Sequence, residues 1–269
     1  MRKNASALAI AYFTFLLMII FSGSLTGIFS ETVYFLSYIL PFVAVIVLTD
    51  REAPKMSEFS ISRDSKRLFL PTVFPIVFVI IFLSFFSSTL ISLFSEKTPD
   101  VDLGDSLLFA IFYNALLPSV LEELLFRYLP MRYIAPYSAR YAVIFSAAFF
   151  ALVHHSFFSM PYAFFAGAAF MCVNLLCESS LPSIILHFVN NSVFVVWSMY
   201  FEKTLGSLAL LPVMLVPALA CAVCIYRLRR RYLEKFAVIF SDKCEIFVTP
   251  SMFLACFASI FTAALELFA

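Results

Sequence analysis

Two adjacent glutamates, Glu122 and Glu123, sit in the run LEELLFR (residues 121–127), inside a segment apolar enough to be a membrane span. An ionised carboxylate near mid-bilayer costs about 3 kcal/mol on insertion scales, so such a pair requires a cation, water or a chemical task. On a helix Glu123 and Arg127 are four apart and face each other, whereas Glu122 is turned by about 100° onto the neighbouring face. The spacing predicts one carboxylate held by an arginine and one available to react. The competing reading is a polar plug, in which both acids and the arginine only solvate one another between spans.

The three histidines, His154, His155 and His187, all fall within predicted spans or at their ends, which is not a surface distribution. Phe150 lies one turn before His154 on the same helical face, where its ring can hold the imidazole in one rotamer. His155 points about 100° away. His187 and Asn191 are also four apart and so stack on one face, offering two hydrogen-bond donors aimed in one direction. Asn190, on the adjacent face, is the lesser partner. A base together with such donors is what hydrolysis by an activated water requires. Interhelical hydrogen bonding, at about 0.6 kcal/mol per contact, is the structural alternative.

The elements that must position these residues are membrane helices. The 269-residue chain is 63% hydrophobic and 13% charged, with a mean hydropathy of +0.99. That composition lies outside the soluble globular range and predicts an all-α, polytopic transmembrane bundle. A net charge of +1 supplies no basic field, which excludes nucleic-acid partners. The six cysteines show no metal-finger spacing, and Cys221 and Cys224 form a C-x-x-C inside an apolar helix, so all six are read as packing residues.

Eight spans are expected: 5–28, 32–48, 68–94, 106–128, 141–157, 161–177, 182–200 and 207–226, with 250–269 as a candidate ninth. The organisation divides into an N-terminal three-span region (1–104) with a charged loop at 50–67, a catalytic membrane domain (105–226), and a basic linker with the extra C-terminal span (227–269). Lys and Arg concentrate at the N-terminus and in 50–67, 127–140 and 227–235, which assigns these to the cytoplasmic side. The expected location is a bacterial plasma membrane with the N-terminus in the cytoplasm.

In order, E-E-x-x-x-R (Glu122, Glu123, Arg127), F-x-x-x-H (Phe150, His154) and H-x-x-x-N (His187, Asn191) on three successive motif-bearing spans resemble the CPBP family, also called Abi. That family contains the CAAX prenyl endopeptidases and the bacteriocin-processing and immunity proteins, and the resemblance covers residues 105 to about 200. It implies an intramembrane endopeptidase in which Glu122 and His154 activate water, His187 and Asn191 stabilise the oxyanion, and Glu123, Arg127 and Phe150 brace the site. The implied substrate is a peptide or membrane protein, lipidated or not, within the lipid phase, and no cofactor is required. An alternative zinc site would use Glu122, His154 and His187, a His₂Glu set with an open position, although H-E-x-x-H is absent. Two other classes compete: a non-catalytic scaffold or immunity protein, and a proton-coupled transporter, which would show inverted repeats.

One tension concerns depth. The glutamates are a few residues from the end of their expected span, whereas His154 is fourteen residues beyond Arg140, roughly 21 Å along a helix. A fifth helix that is tilted or begins above the membrane would reconcile them.

Overall fold

The computed structural model describes residues 1–49, 63–94, 106–154, 159–201, 210–241 and 247–268, and among them every regular element is a helix. In chain order these are α1 (Arg2–Gly23), α2 (Ile28–Leu48), α3 (Arg63–Phe94), α4 (Leu107–Tyr133), α5 (Ala139–Leu152), α6 (Met160–Cys177), α7 (Leu181–Tyr200), α8 (Leu210–Ile239) and α9 (Pro250–Phe268). Helices α1, α2, α4, α6 and α7 are each long and apolar enough to cross a membrane, and α3, α5 and α9 carry shorter apolar stretches. Side chains such as Ile39, Val47, Phe165 and Phe257 face outward, as a lipid-covered surface requires.

Several boundaries differ from the expectation: α1 ends at Gly23 rather than 28, α2 begins at Ile28 rather than 32, and α3 begins at Arg63, inside the expected 50–67 loop. Helix α4 continues past Tyr128 to Tyr133, so Glu123 lies ten residues, about 15 Å, from its end rather than near it. Helix α5 stops at Leu152, short of the expected Phe157. Helix α8 does not end at Tyr226 but runs to Ile239, so the basic run 227–235 sits on helical turns and not in a linker. Its long Arg and Lys stems let a helix continue from apolar to polar surroundings without a break. The connections at 50–62 and 95–105, and His155, lie outside the described residues.

Helix α4 is irregular for a reason visible in its sequence. It contains two π turns, Phe112–Leu116 and Leu124–Tyr128, and a proline follows each two residues later, Pro118 and Pro130. A proline lacks the N–H and its ring crowds the carbonyl four residues back, and widening the turn to an i→i+5 pattern relieves that clash without ending the helix. Around Pro130 the Leu129 N–H bonds Leu124 O, so the Leu125 and Phe126 carbonyls lose the partners of a regular α-helix. Neighbouring helices replace them: Tyr12 of α1 donates to Leu125 O at 2.9 Å, and Ser146 of α5 donates to Phe126 O at 2.6 Å. The turn that carries Arg127 is thereby keyed to α1 and α5.

One end of the bundle gathers several termini. Asn4 Nδ2 donates to Tyr133 O at 3.1 Å, Ser6 and Ser251 share a 2.9 Å hydrogen bond, Tyr141 donates to Phe247 O at 2.8 Å, and Arg140 donates to Phe240 O. The start of α1, the end of α4, the start of α5, the end of α8 and the start of α9 therefore share that end, and Arg2, Lys3, Arg132 and Arg140 cluster there. Helix α9 packs on α1, turning Met252, Ala255 and Ser259 inward while Phe253 and Phe261 face out.

Replacing Ser146 by Ala leaves the Phe126 carbonyl buried without its donor. A stability loss of about 1–3 kcal/mol is expected, read as a lower unfolding midpoint in detergent, with a comparable loss for Tyr12→Phe.

Candidate active site

Arg127 is fully buried and anchors the site. Its Nη1 lies 3.1 Å from Glu123 Oε1, and neither side chain has any exposure. The rest of the guanidinium is covered by aromatic faces, with its carbon 3.7 Å from the Phe150 ring centroid and 5.2 Å from that of Phe170. In a desolvated setting such faces attract a cation by about 2 kcal/mol or more. Gly167 makes this packing possible: a methyl group there would sit 3.1 Å from Ala147 Cα, 3.3 Å from the Phe150 ring and 3.5 Å from Arg127 Nη2. A side chain at that position would push α6 away from α5 and the arginine by a few tenths of an ångström.

Glu123 also accepts from His187, whose Nδ1 is 2.9 Å from Glu123 Oε1. A carboxylate accepts only, so Nδ1 carries the proton in this contact. The other ring nitrogen, Nε2, lies 3.8 Å from Glu122 Oε2. The imidazole is therefore set between the two glutamates, committed to one and turned toward the other. Glu122 makes one further contact, a 3.4 Å hydrogen bond from the Tyr38 hydroxyl of α2, and its side chain is 20% exposed. The two acids are adjacent in sequence yet differ in setting: Glu123 is closed off and doubly engaged, whereas Glu122 is held loosely and open.

His187 also forms part of the wall of a cavity of about 200 Å³, room for about six or seven waters. His154 and Phe150 contribute from the end of α5, Tyr162 and Phe170 from α6, Asn190, Asn191 and Phe194 from α7, and Ser84 from α3. His154 is held as the sequence pattern predicts, through its Phe150 neighbour: the rings meet edge-on at 4.7 Å, and His154 Nδ1 is 2.8 Å from Phe150 O. Asn190 Nδ2 donates to the Tyr162 hydroxyl at 3.1 Å and to Asn191 Oδ1 at 3.2 Å. That second bond fixes the Asn191 amide by its oxygen, leaving its own N–H₂ as the donor end.

Of the residues singled out from sequence, Phe150, His154, His187 and Asn191 line one cavity, and Glu122, Glu123 and Arg127 adjoin it through His187 and Phe150. The depth tension is resolved by α4 and α5 together: the glutamates are deeper than expected, and α5 is a short helix whose C-terminal end delivers His154 into the bundle. Asn190, placed on an adjacent face by its spacing, reaches the same cavity, because the cavity spans two faces of α7. Tyr38, Tyr162 and Ser84 were not singled out; the i, i+4 pair Tyr34 and Tyr38 in an otherwise apolar span was the available signal for the first. Among the described residues no three His, Cys, Asp or Glu side chains converge as a metal site requires.

Residues 104–193 match a family model described as type II CAAX prenyl endopeptidase Rce1-like. The match covers about a third of the chain and includes Glu122, Glu123, Arg127, Phe150, His154, His187 and Asn191. Among curated proteins and among solved structures, none matches the chain.

Breaking a buried ion pair by removing one partner costs about 3–5 kcal/mol, because the other charge is left uncompensated. Glu123→Gln and Arg127→Met are each expected to reduce the folded, membrane-inserted yield sharply. The double variant, which removes both charges, should recover much of it, as read by size-exclusion profile and unfolding midpoint. A double variant no better than the sum of the singles would contradict the pairing.

Proposed function

We propose that this protein is an intramembrane endopeptidase in which Glu122 is the general base, a reading supported by the match of residues 104–193 to a type II CAAX prenyl endopeptidase Rce1-like family model. The observation that carries the reading is the unequal setting of the two glutamates. Glu123 is consumed by Arg127 and His187, while Glu122 is open, lightly held by Tyr38, and faces His187 Nε2 across 3.8 Å. A water seated beside that gap reaches both groups at ordinary hydrogen-bond length.

The reaction follows from these groups. Glu122 takes a proton from the water as the oxygen attacks the scissile carbonyl, and returns it to the leaving amine as the C–N bond breaks. His154 and His187, each donating through Nδ1, present an Nε2 lone pair to the water, so the oxyanion-donor role that the H-x-x-x-N spacing implied falls in this mechanism to Asn191 and not to His187. Asn191 offers its N–H₂ to the developing oxyanion, an interaction whose loss typically lowers kcat about 10²–10³-fold. Arg127 holds Glu123, and Phe150 holds His154 while its ring forms part of the cavity wall. The chain of events needs no Lewis acid.

The substrate class is a peptide or membrane-protein segment, lipidated or not, that enters from the lipid phase. We read the bundle as eight spans with α9 as a ninth, in a bacterial plasma membrane, with the N-terminus and the basic end of the bundle in the cytoplasm. Glu123 is ten residues from the basic end of α4 and sixteen from its other end, which supports a site nearer the cytoplasmic side.

Glu122→Gln keeps the shape of the side chain and removes proton acceptance. Comparing new protein N-termini in membranes carrying the parent or this variant should show a set of cleavages that disappears, with the variant present at normal level. Asn191→Ala should lower kcat by roughly 10²-fold with KM little changed. Persistence of those cleavages in Glu122→Gln would remove the assignment of the base.

A chelator should leave cleavage intact. Loss of activity in chelator that zinc alone restores would replace this reading with the metal one.

A further inference from the structure

Glu122 is 20% exposed and is not among the residues lining the cavity. Toward α2 it meets a run of hydroxyls. Tyr38 donates to Glu122 Oε1 at 3.4 Å, and the Tyr38 hydroxyl is in turn 3.4 Å from that of Tyr34. Tyr34 is within electrostatic reach of both Glu122 and Glu31. Glu31 is exposed in the first turn of α2 and accepts a hydrogen bond from Tyr113 of α4. Glu31, Tyr34 and Tyr38 are spaced i, i+3, i+7 and so share one face of a helix that is otherwise strongly apolar.

The direction of this face is set by α1 and α2, which form a hairpin closed by a 2.9 Å bond from Ser30 to Ser22 O. Helix α2 therefore begins at the end of the bundle opposite Arg2 and the other clustered cations. In the proposed cycle Glu122 returns its proton to the leaving amine, yet each turnover consumes a water that must reach it, and the carboxylate's resting charge state is set by exchange with solvent. An occupant of the 200 Å³ cavity would block exchange past His187. We propose that the Glu31–Tyr34–Tyr38 face of α2, with Tyr113 opposite, is a polar track along which water and protons from the end of the bundle where α2 begins reach Glu122. The two 3.4 Å separations become ordinary hydrogen bonds with shifts of about half an ångström, so the hydroxyls can pass a proton in turn: Tyr38 gives its proton to Glu122, takes one from Tyr34, and Tyr34 is reprotonated by water entering from the end where α2 begins. The track holds whether or not Glu122 serves a peptidase, since it concerns access to the carboxylate and not what is cleaved.

The test needs no substrate. In proteoliposomes, Tyr34→Cys and, as a control on the lipid-facing side at the same depth, Leu36→Cys are exposed to a small, charged, membrane-impermeant methanethiosulfonate. The reagent is added to one face at a time, and modification at each position is read by mass spectrometry. Tyr34→Cys should react about tenfold or more faster than Leu36→Cys, and from the face opposite the basic end, because hydrocarbon excludes the charged reagent. Equal rates, or reaction only from the basic end, would overturn the track. A second arm uses the unaltered protein with a water-soluble carbodiimide and glycinamide. Coupling at Glu122 but not Glu123, from the Glu31 face, supports the track; coupling from the basic end alone, or at neither face, overturns it.

Discussion

A fully desolvated ion pair, Glu123 with Arg127 at 3.1 Å, is the constraint around which this bundle is arranged. Two charges of this kind in an apolar interior are tolerated only when each is paired and its remaining surface is covered. The coverage comes from three other helices: Phe150 of α5 and Phe170 of α6 over the guanidinium, and His187 of α7 on the carboxylate. Gly167 sets how closely α5 and α6 can approach it, and the widened turn at 124–128 sets where Arg127 sits along α4. That turn exists because Pro130 excludes a regular one, and it is sustained by hydroxyls from Tyr12 and Ser146. Local backbone irregularity, tertiary hydrogen bonding and charge burial are thus one connected arrangement.

The pair also divides the labour between neighbouring acids. Because Glu123 Oε1 meets both Arg127 Nη1 and His187 Nδ1, its part in the proposed mechanism runs through His187, by fixing which ring nitrogen points at Glu122. Glu122, one residue earlier and rotated about the helix axis, forms no ion pair with the arginine among the described residues and meets Tyr38 and His187 Nε2. Two chemically identical side chains acquire different roles from a rotation of about 100°. The same logic recurs on α7, where Asn190 is tied to Tyr162 and, by donating to Asn191 Oδ1, directs the second amide.

Much of the site was legible in the sequence because polar residues in an apolar span have few places to go. The four-residue spacings of Glu123 with Arg127 and of Phe150 with His154 translated directly into contacts. The family match over 104–193 coincides with the stretch carrying those motifs. What could not be read were features that depend on partners distant along the chain. The continuation of α4 through Pro130 rests on donors from α1 and α5, and Tyr38 reaches Glu122 across 84 positions. Asn190 was set aside by a face argument that holds for a flat helix contact but not for a cavity wrapping around α7. The length of α8 was misjudged because charged residues mark the edge of a membrane without marking the end of a helix.

The central claim is that Glu123 holds His187 through Nδ1 and so turns Nε2 toward Glu122. With only three histidines in the chain, ¹⁵N magic-angle-spinning NMR of histidine-labelled protein in lipid, assigned by loss of the signals in His187→Gln, reports this directly. The account predicts a protonated Nδ1 on His187 whose signal shifts when Glu123 is replaced by Gln together with Arg127 by Met. A His187 carrying its only ring proton on Nε2 would contradict it.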